Sequence, residues 1–153
     1  MIWLPDHLQV DSDLCINFSV KLEPRGKGRP RAGINRKTGK LNARTDDKTR
    51  AWELDFIAIT KMAVLRNADR IKDMAGKPLF VGLSLFYRKP KKAEWFCTKA
   101  IDNDNAEKLV WDSMQGIFFH NDNRIVANAT YKDWTSGDPG LHVYICALKR
   151  KPT

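Results

Sequence analysis

No apolar run in this 153-residue chain approaches the roughly 20 residues that span a bilayer, so no membrane-crossing helix is expected. The start, Met1 to His7, has no basic stretch ahead of an apolar one, which argues against a signal peptide. Cysteine is scarce. Cys15, Cys97 and Cys146 are odd in number and far apart, without the C-x-x-C pairing of a zinc site. Reduced thiols are therefore expected, and a reducing cytoplasm with them. Histidine is scarce as well, and His7, His120 and His142 read as surface or packing residues. No repeats or low-complexity tracts occur. Hydrophobic content of 42% and charged content of 29% fit a single folded domain long enough to bury a core.

Acid is the charge in short supply. The chain carries 27 Lys+Arg against 18 Asp+Glu, a formal net charge of +9. Such a balance attracts polyanions, nucleic acid above all. Residues 24–45 hold no acid at all, yet contain Arg25, Lys27, Arg29, Arg31, Arg36, Lys37, Lys40 and Arg44. Their glycines and Pro30 preclude a regular helix. This segment is expected to be a basic flexible loop or ragged hairpin, turning near Lys37–Lys40, that contacts DNA phosphates through Arg25, Lys27, Arg29, Arg31, Arg36, Lys37 and Lys40. A second basic loop, residues 88–99, adds Lys91 and Lys92 as DNA-contacting candidates. Its Trp95 and Phe96 either stack on a base or bury against the core.

Periodicity places the elements. Residues 1–14 read as an N-terminal leader and 15–150 as the domain. Strands are expected over Ile16–Leu22, Leu79–Tyr87, Arg124–Trp134 and Leu141–Leu148, the last two joined by a hairpin-like turn. A helix from Asp47 to Arg66, capped at Thr45–Asp47, is apolar around much of its circumference, so it lies in the core or at a dimer interface. A second helix is expected from Asp104 to Gln115, stopped at Gly116. The fold class is α+β: one domain, a mixed β-sheet with two main helices packed on it.

Against this basic background stand clustered acids. Ile101-Asp102-Asn103-Asp104-Asn105-Ala106-Glu107-Lys108 is followed by Asp112 and by Asn121-Asp122-Asn123. On the second helix, Asp104, Lys108 and Asp112 share one polar stripe, while Ala106, Leu109, Val110, Ser113 and Ile117 form the opposite face. Ordinary structural roles account for part of this pattern. Asp104 with Glu107 resembles a capping box, and Lys108 between acids four residues away on either side resembles a surface ion-pair ladder. Clustered carboxylates in a basic chain also suit a hard divalent cation such as Mg²⁺, which takes carboxylate and phosphate oxygens.

The motif D-x-D-N at Asp102–Asn105, Lys108 four residues after Asp104, Asp112 four further on, and Asp122 before an apolar strand resemble the RusA family of Holliday junction resolvases. Lys27-Gly28-Arg29-Pro30-Arg31 and Lys48-Thr49 resemble the K-x-R-P-R and K-T segments of its phage-type members. The resemblance covers roughly residues 16–134. It implies a homodimeric, RusA-like endonuclease that uses Mg²⁺, with Mn²⁺ able to substitute, to nick four-way DNA junctions symmetrically in recombination and repair. It implies catalytic roles for Asp102, Asp104, Asp122 and Lys108, the three aspartates being metal ligands. Asn105, Asp112 and Asn121 stand as supporting residues around them. The chain departs from the family at Asn121, where an acid is often found. A bacterial or phage-infected cytoplasm is the implied location. Two other readings compete: a catalytically inactive, structure-selective DNA-binding protein of the same fold, and a module for RNA or another acidic partner.

Overall fold

A computed structural model describes residues 4–28, 31–34, 37–39, 41–98 and 101–152, with only the backbone described at 31–33 and 41–44. The element order is β1 (Leu8–Val20), β2 (Arg31–Ile34), β3 (Leu41–Arg44), α1 (Asp47–Arg66), α2 (Ala68–Met74), β4 (Leu79–Arg88), α3 (Asn103–Met114), a 3₁₀ turn Asp122–Arg124, β5 (Ile125–Thr135) and β6 (Gly140–Arg150). Two sheets form: a mixed four-stranded one in the order β1-β6-β4-β5, and the separate hairpin β2-β3. The α+β reading holds, with α2 as a short addition that the apolar pattern did not reveal.

β4 occupies the interior of the sheet because it is apolar on both faces. Leu79, Phe80, Val81, Leu83, Leu85 and Tyr87 are all buried. It pairs antiparallel with β6 and parallel with β5, and α3 supplies the crossover that a parallel pair requires. The hairpin-like connection expected between the last two strands is therefore not a hairpin. β5 and β6 are consecutive in sequence, but β4 lies between them.

The chain enters the sheet earlier than its alternation suggests. β1 begins at Leu8, inside the expected leader, and pairs with β6 through an irregularity between Val10 and Cys15. That register sets Cys15 opposite Cys146, and the two form a disulfide. The expectation of three reduced thiols fails for this pair because neighbouring strands bring together residues 131 apart in sequence; Cys97 remains free and buried.

The helices cover one face of the sheet. Phe18 stacks on Phe118 at 4.9 Å between ring centroids, and Trp52 on Phe56 at 5.3 Å. The core stripe of α1 is Thr49, Trp52, Phe56 and Thr60. Ile59 is exposed, and Thr60 is buried among the apolar side chains instead. The Thr60 hydroxyl donates to the Phe56 carbonyl at 2.9 Å, which removes the penalty for burying it. The opposite side of α1 leaves Leu54, Met62 and Leu65 in solvent at 61%, 56% and 61% exposure. This helix thus has a core face and an outward apolar face at once. No helix of the described residues is long and apolar enough to cross a membrane.

Candidate active site

The acidic motif sits where β4 has ended and α3 begins. Two β5 side chains hold the loop between them. Lys132 Nζ donates to the Ile101 carbonyl at 2.8 Å, and Trp134 Nε1 donates to the carbonyls of Glu94 at 3.2 Å and Phe96 at 3.1 Å. With the loop backbone gripped at both ends, Trp95 and Phe96 project outward at 86% and 75% exposure, so neither buries against the core.

Asp102 is the N-cap residue of α3, but its side chain makes no capping bond. Asp104 lies inside the first turn and is exposed. The capping-box reading of Asp104 with Glu107 is thus not what forms. An aspartate at a helix start that does not cap is free to use its oxygens elsewhere, while the helix dipole favours its negative charge. The amphipathic pattern of α3 does hold: Ala106, Leu109, Val110, Ser113 and Met114 are buried, and the polar stripe faces out.

Lys108 joins the two acidic segments. Its Nζ lies 2.9 Å from Asp112 Oδ1 and 2.7 Å from Asp122 Oδ2. The ion-pair ladder therefore runs from Asp112 to Asp122 rather than to Asp104. Hydrogen bonds donated to Asp122 and then to Asp112 raise the Lys108 pKa. Asp122 stands on the 3₁₀ turn ahead of β5, and Asn121 caps that turn by accepting from the Asn123 N–H at 2.9 Å. An amide in place of an acid here builds the turn that presents Asp122.

Lys27 arrives from the basic arm. Its ammonium pairs with Asp112 Oδ2, and its backbone N–H donates to the Asn105 carbonyl at 3.1 Å. Burial is the largest influence on Asp112 and pushes its pKa upward, but the bonds from Lys27 and Lys108 together outweigh it and hold the carboxyl below its ordinary value. Glu53 on α1 faces the same pair. Burial raises its pKa, Lys27 opposes and Asp112 reinforces. One residue further along, the Gly28 N–H donates to Thr49 Oγ1 at 3.0 Å, and the Thr49 hydroxyl donates to the Asp46 carboxylate. A Cβ at Gly28 would lie 1.8 Å from Asp46 Oδ2, so the closeness of arm and α1 N-terminus requires glycine there. Asp46 caps α1 as expected. Its pKa is lowered, first by the Thr49 hydroxyl and then by the Thr49 N–H.

A recess of about 290 Å³ opens beside these groups, lined by Arg25, Gly26, Lys27, Ile101, Asp102 and Asn105. Arg25 Nε is buried with no hydrogen-bond partner among the described residues. Two cations and one carboxylate around a recess suit a phosphate accompanied by a cation.

The DNA-contacting candidates divide. Lys37, Lys91 and Lys92 are exposed. Arg25 and Lys27 line the recess instead of the outer arm. Arg29, Arg36, Lys40 and the Arg31 side chain lie outside the described residues. The expected hairpin of the arm is present as β2-β3, with Arg31 opposite Arg44. Lys27 and Glu53 were not legible as neighbours of the acidic motif, because their approach depends on how the arm crosses α1 and α3.

The donor chemistry fits a hard divalent cation: carboxylate oxygens, with Asp102 uncommitted to capping. Among the described residues no three Asp, Glu, His or Cys side chains converge closely enough to hold one. Holding an ion between Asp102, Asp104 and Asp122 thus requires these side chains to turn inward. No curated protein matches the chain. The family model for endodeoxyribonuclease RusA matches residues 21–146. That span runs from the end of β1 through the arm, both long helices, the acidic motif and most of β6, and the chain therefore belongs to the RusA endodeoxyribonuclease family.

Proposed function

We propose that this chain is a Mg²⁺-dependent endonuclease that resolves four-way DNA junctions by paired, symmetric nicks as a homodimer. The observation that carries this reading is the pairing of Lys108 with Asp112 and Asp122 on and next to the helix whose N-cap, Asp102, makes no capping bond and lines a recess with Arg25 and Lys27. Ion pairs this exposed add little stability, about 0–1 kcal/mol each. Their contribution is to place charge where a phosphate arrives.

Asp102, Asp104 and Asp122 are the residues that would hold the cation, and Mn²⁺ would serve the same oxygen donors. When bound, the ion supplies Lewis-acid polarisation of the phosphate and a water of lowered pKa. The chain's own residues orient and neutralise. Arg25, whose buried Nε has no partner among the described residues, draws the scissile phosphate into the recess. Lys108, anchored by Asp112, directs its ammonium toward the charge that develops on the phosphate oxygens. Asn121 holds the turn that aims Asp122 at the same point.

Junction selectivity follows from shape. The arm, with Lys37, and the loop with Lys91 and Lys92 flank the site and track backbones. Trp95 and Phe96 offer stacking surface to bases left unpaired at the crossover. The outward face of α1, with Ala51, Leu54, Ala58, Met62 and Leu65, supports a helix-to-helix dimer, because contiguous exposed apolar residues mark association surfaces. A two-fold axis there presents equivalent sites to two strands. A cytoplasmic location follows from the DNA substrate and gains nothing from the cysteines.

The test is cleavage of an end-labelled four-way junction and a linear duplex of matched sequence in Mg²⁺. Paired nicks at symmetric positions, confined to the junction, support the reading. Equal cleavage of duplex and junction removes junction selectivity, and binding without nicking leaves a DNA-binding protein.

A further inference from the structure

Lys27 belongs by sequence to a run of cations that read as phosphate contacts, yet its ammonium is spent on Asp112, 85 residues away. The grip is double. The Lys27 N–H is bonded to the Asn105 carbonyl, and its side chain is bonded to Asp112 two helical turns further along α3, about 10 Å by helical rise. Neither contact is incidental to arm placement, because the Gly28–Thr49 bond and the close approach at Gly28 fix the next residue against α1.

The two oxygens of Asp112 are divided between two lysines, Oδ2 to Lys27 and Oδ1 to Lys108. This division has a mechanical consequence. With Lys27 removed, the carboxylate is free to rotate and take Lys108 with both oxygens, drawing its ammonium toward α3. With Lys27 in place, Lys108 has one oxygen of Asp112 and reaches across to Asp122.

We propose that Lys27 is a positioning residue of the active site, which fixes Asp112 so that Asp112 holds Lys108 in reach of Asp122 and the recess. The proposal rests on the nuclease reading above. It separates Lys27 from the phosphate-tracking cations of the arm, although all of them lie in one basic segment.

The test uses the full chain carrying Lys27→Met, Lys27→Gln, Asp112→Asn and the double variant Lys27→Met/Asp112→Asn. Junction affinity is measured over a range of salt concentrations, and single-turnover nicking at saturating enzyme in Mg²⁺. Lys27→Met lowers the nicking rate about tenfold or more, the size seen when a supporting partner of an active-site group is lost. Its affinity and salt slope stay those of wild type, which also shows that it folds. Lys27→Gln keeps a donor for Asp112 and retains more of the rate; it serves as the test if Lys27→Met does not fold. In the Asp112→Asn background, Lys27→Met costs nothing further, because the two residues act through one path. Weaker binding, a log–log salt slope reduced by about 0.9, and an unchanged rate at saturation make Lys27 a phosphate contact and overturn the proposal. Full additivity with Asp112→Asn overturns it as well. Absence of nicking by wild type removes the nuclease reading and the proposal together, a result distinct from either of these.

Discussion

Lys108 and Asp122 meet across 14 residues of sequence, with Nζ 2.7 Å from Oδ2. This bond ties the polar face of α3 to the turn that starts β5 through one oxygen of the Asp122 carboxylate.

Lys108→Met keeps most of the unbranched stem of the side chain and removes its charge. Nicking of a saturated junction is expected to fall on the order of 10²–10³-fold, the usual effect of losing one electrostatic contact to a developing charge. Binding is expected to change little, since Lys108 is engaged with Asp112 and Asp122 in the free protein. Single-turnover rates and filter-binding affinities on the same preparation check this.

Asp112 gives the fold a defined acid sensitivity. Its folded pKa lies below its unfolded one. The stability it contributes is present above the ordinary aspartate value of about 3.9 and is lost as pH falls through the folded value. Asp112→Asn is therefore expected to lower stability near neutral pH and to flatten the decline below about pH 4. Urea unfolding of wild type and variant from pH 3 to 7 measures both. Lys108, with its pKa raised, contributes in the opposite sense: its part is fully present below about pH 10.4 and is lost as pH rises through the folded value.

The outer face of α1 predicts the oligomeric state. Leu54→Glu with Met62→Glu places two charges on exposed positions without touching the core stripe of Trp52 and Phe56. The variant is expected to be a folded monomer by light scattering, with nicks on the two strands no longer paired. A variant that remains dimeric would move the interface off α1.

Trp95 and Phe96 are held out by bonds to their loop backbone, not by packing of their rings. Trp95→Ala is expected to leave the melting temperature unchanged and to weaken junction binding by about 1–3 kcal/mol, the worth of one stacked base. Affinity for linear duplex is expected to hold, because its bases are already stacked. Competition binding between the two substrates reads the difference.

Much of this was legible from residues alone. The bounds of α1 followed from Asp46 and the periodicity after it, and the single polar stripe of α3 followed from helical spacing. The central place of β4 escaped notice, since short apolar strands do not declare their neighbours, and β5 and β6 read as a hairpin in consequence. The disulfide was missed for a related reason: Cys15 and Cys146 meet only through the β1-β6 register. At the site, local motifs marked Asp102, Asp104, Lys108 and Asp122. Lys27 and Glu53 come from distant segments, and only the path of the arm between α1 and α3 brings them in.

The central claim is that Asp102, Asp104 and Asp122 serve one metal-dependent cut. The most direct measurement is nicking of a labelled four-way junction in Mg²⁺ at enzyme excess, comparing wild type with Asp104→Asn, with junction binding measured alongside. The account predicts paired nicks by wild type that vanish without the metal. It predicts that Asp104→Asn binds the junction at least as tightly, since a negative charge has left a basic surface, and does not nick. Nicking by Asp104→Asn at the wild-type rate would contradict it.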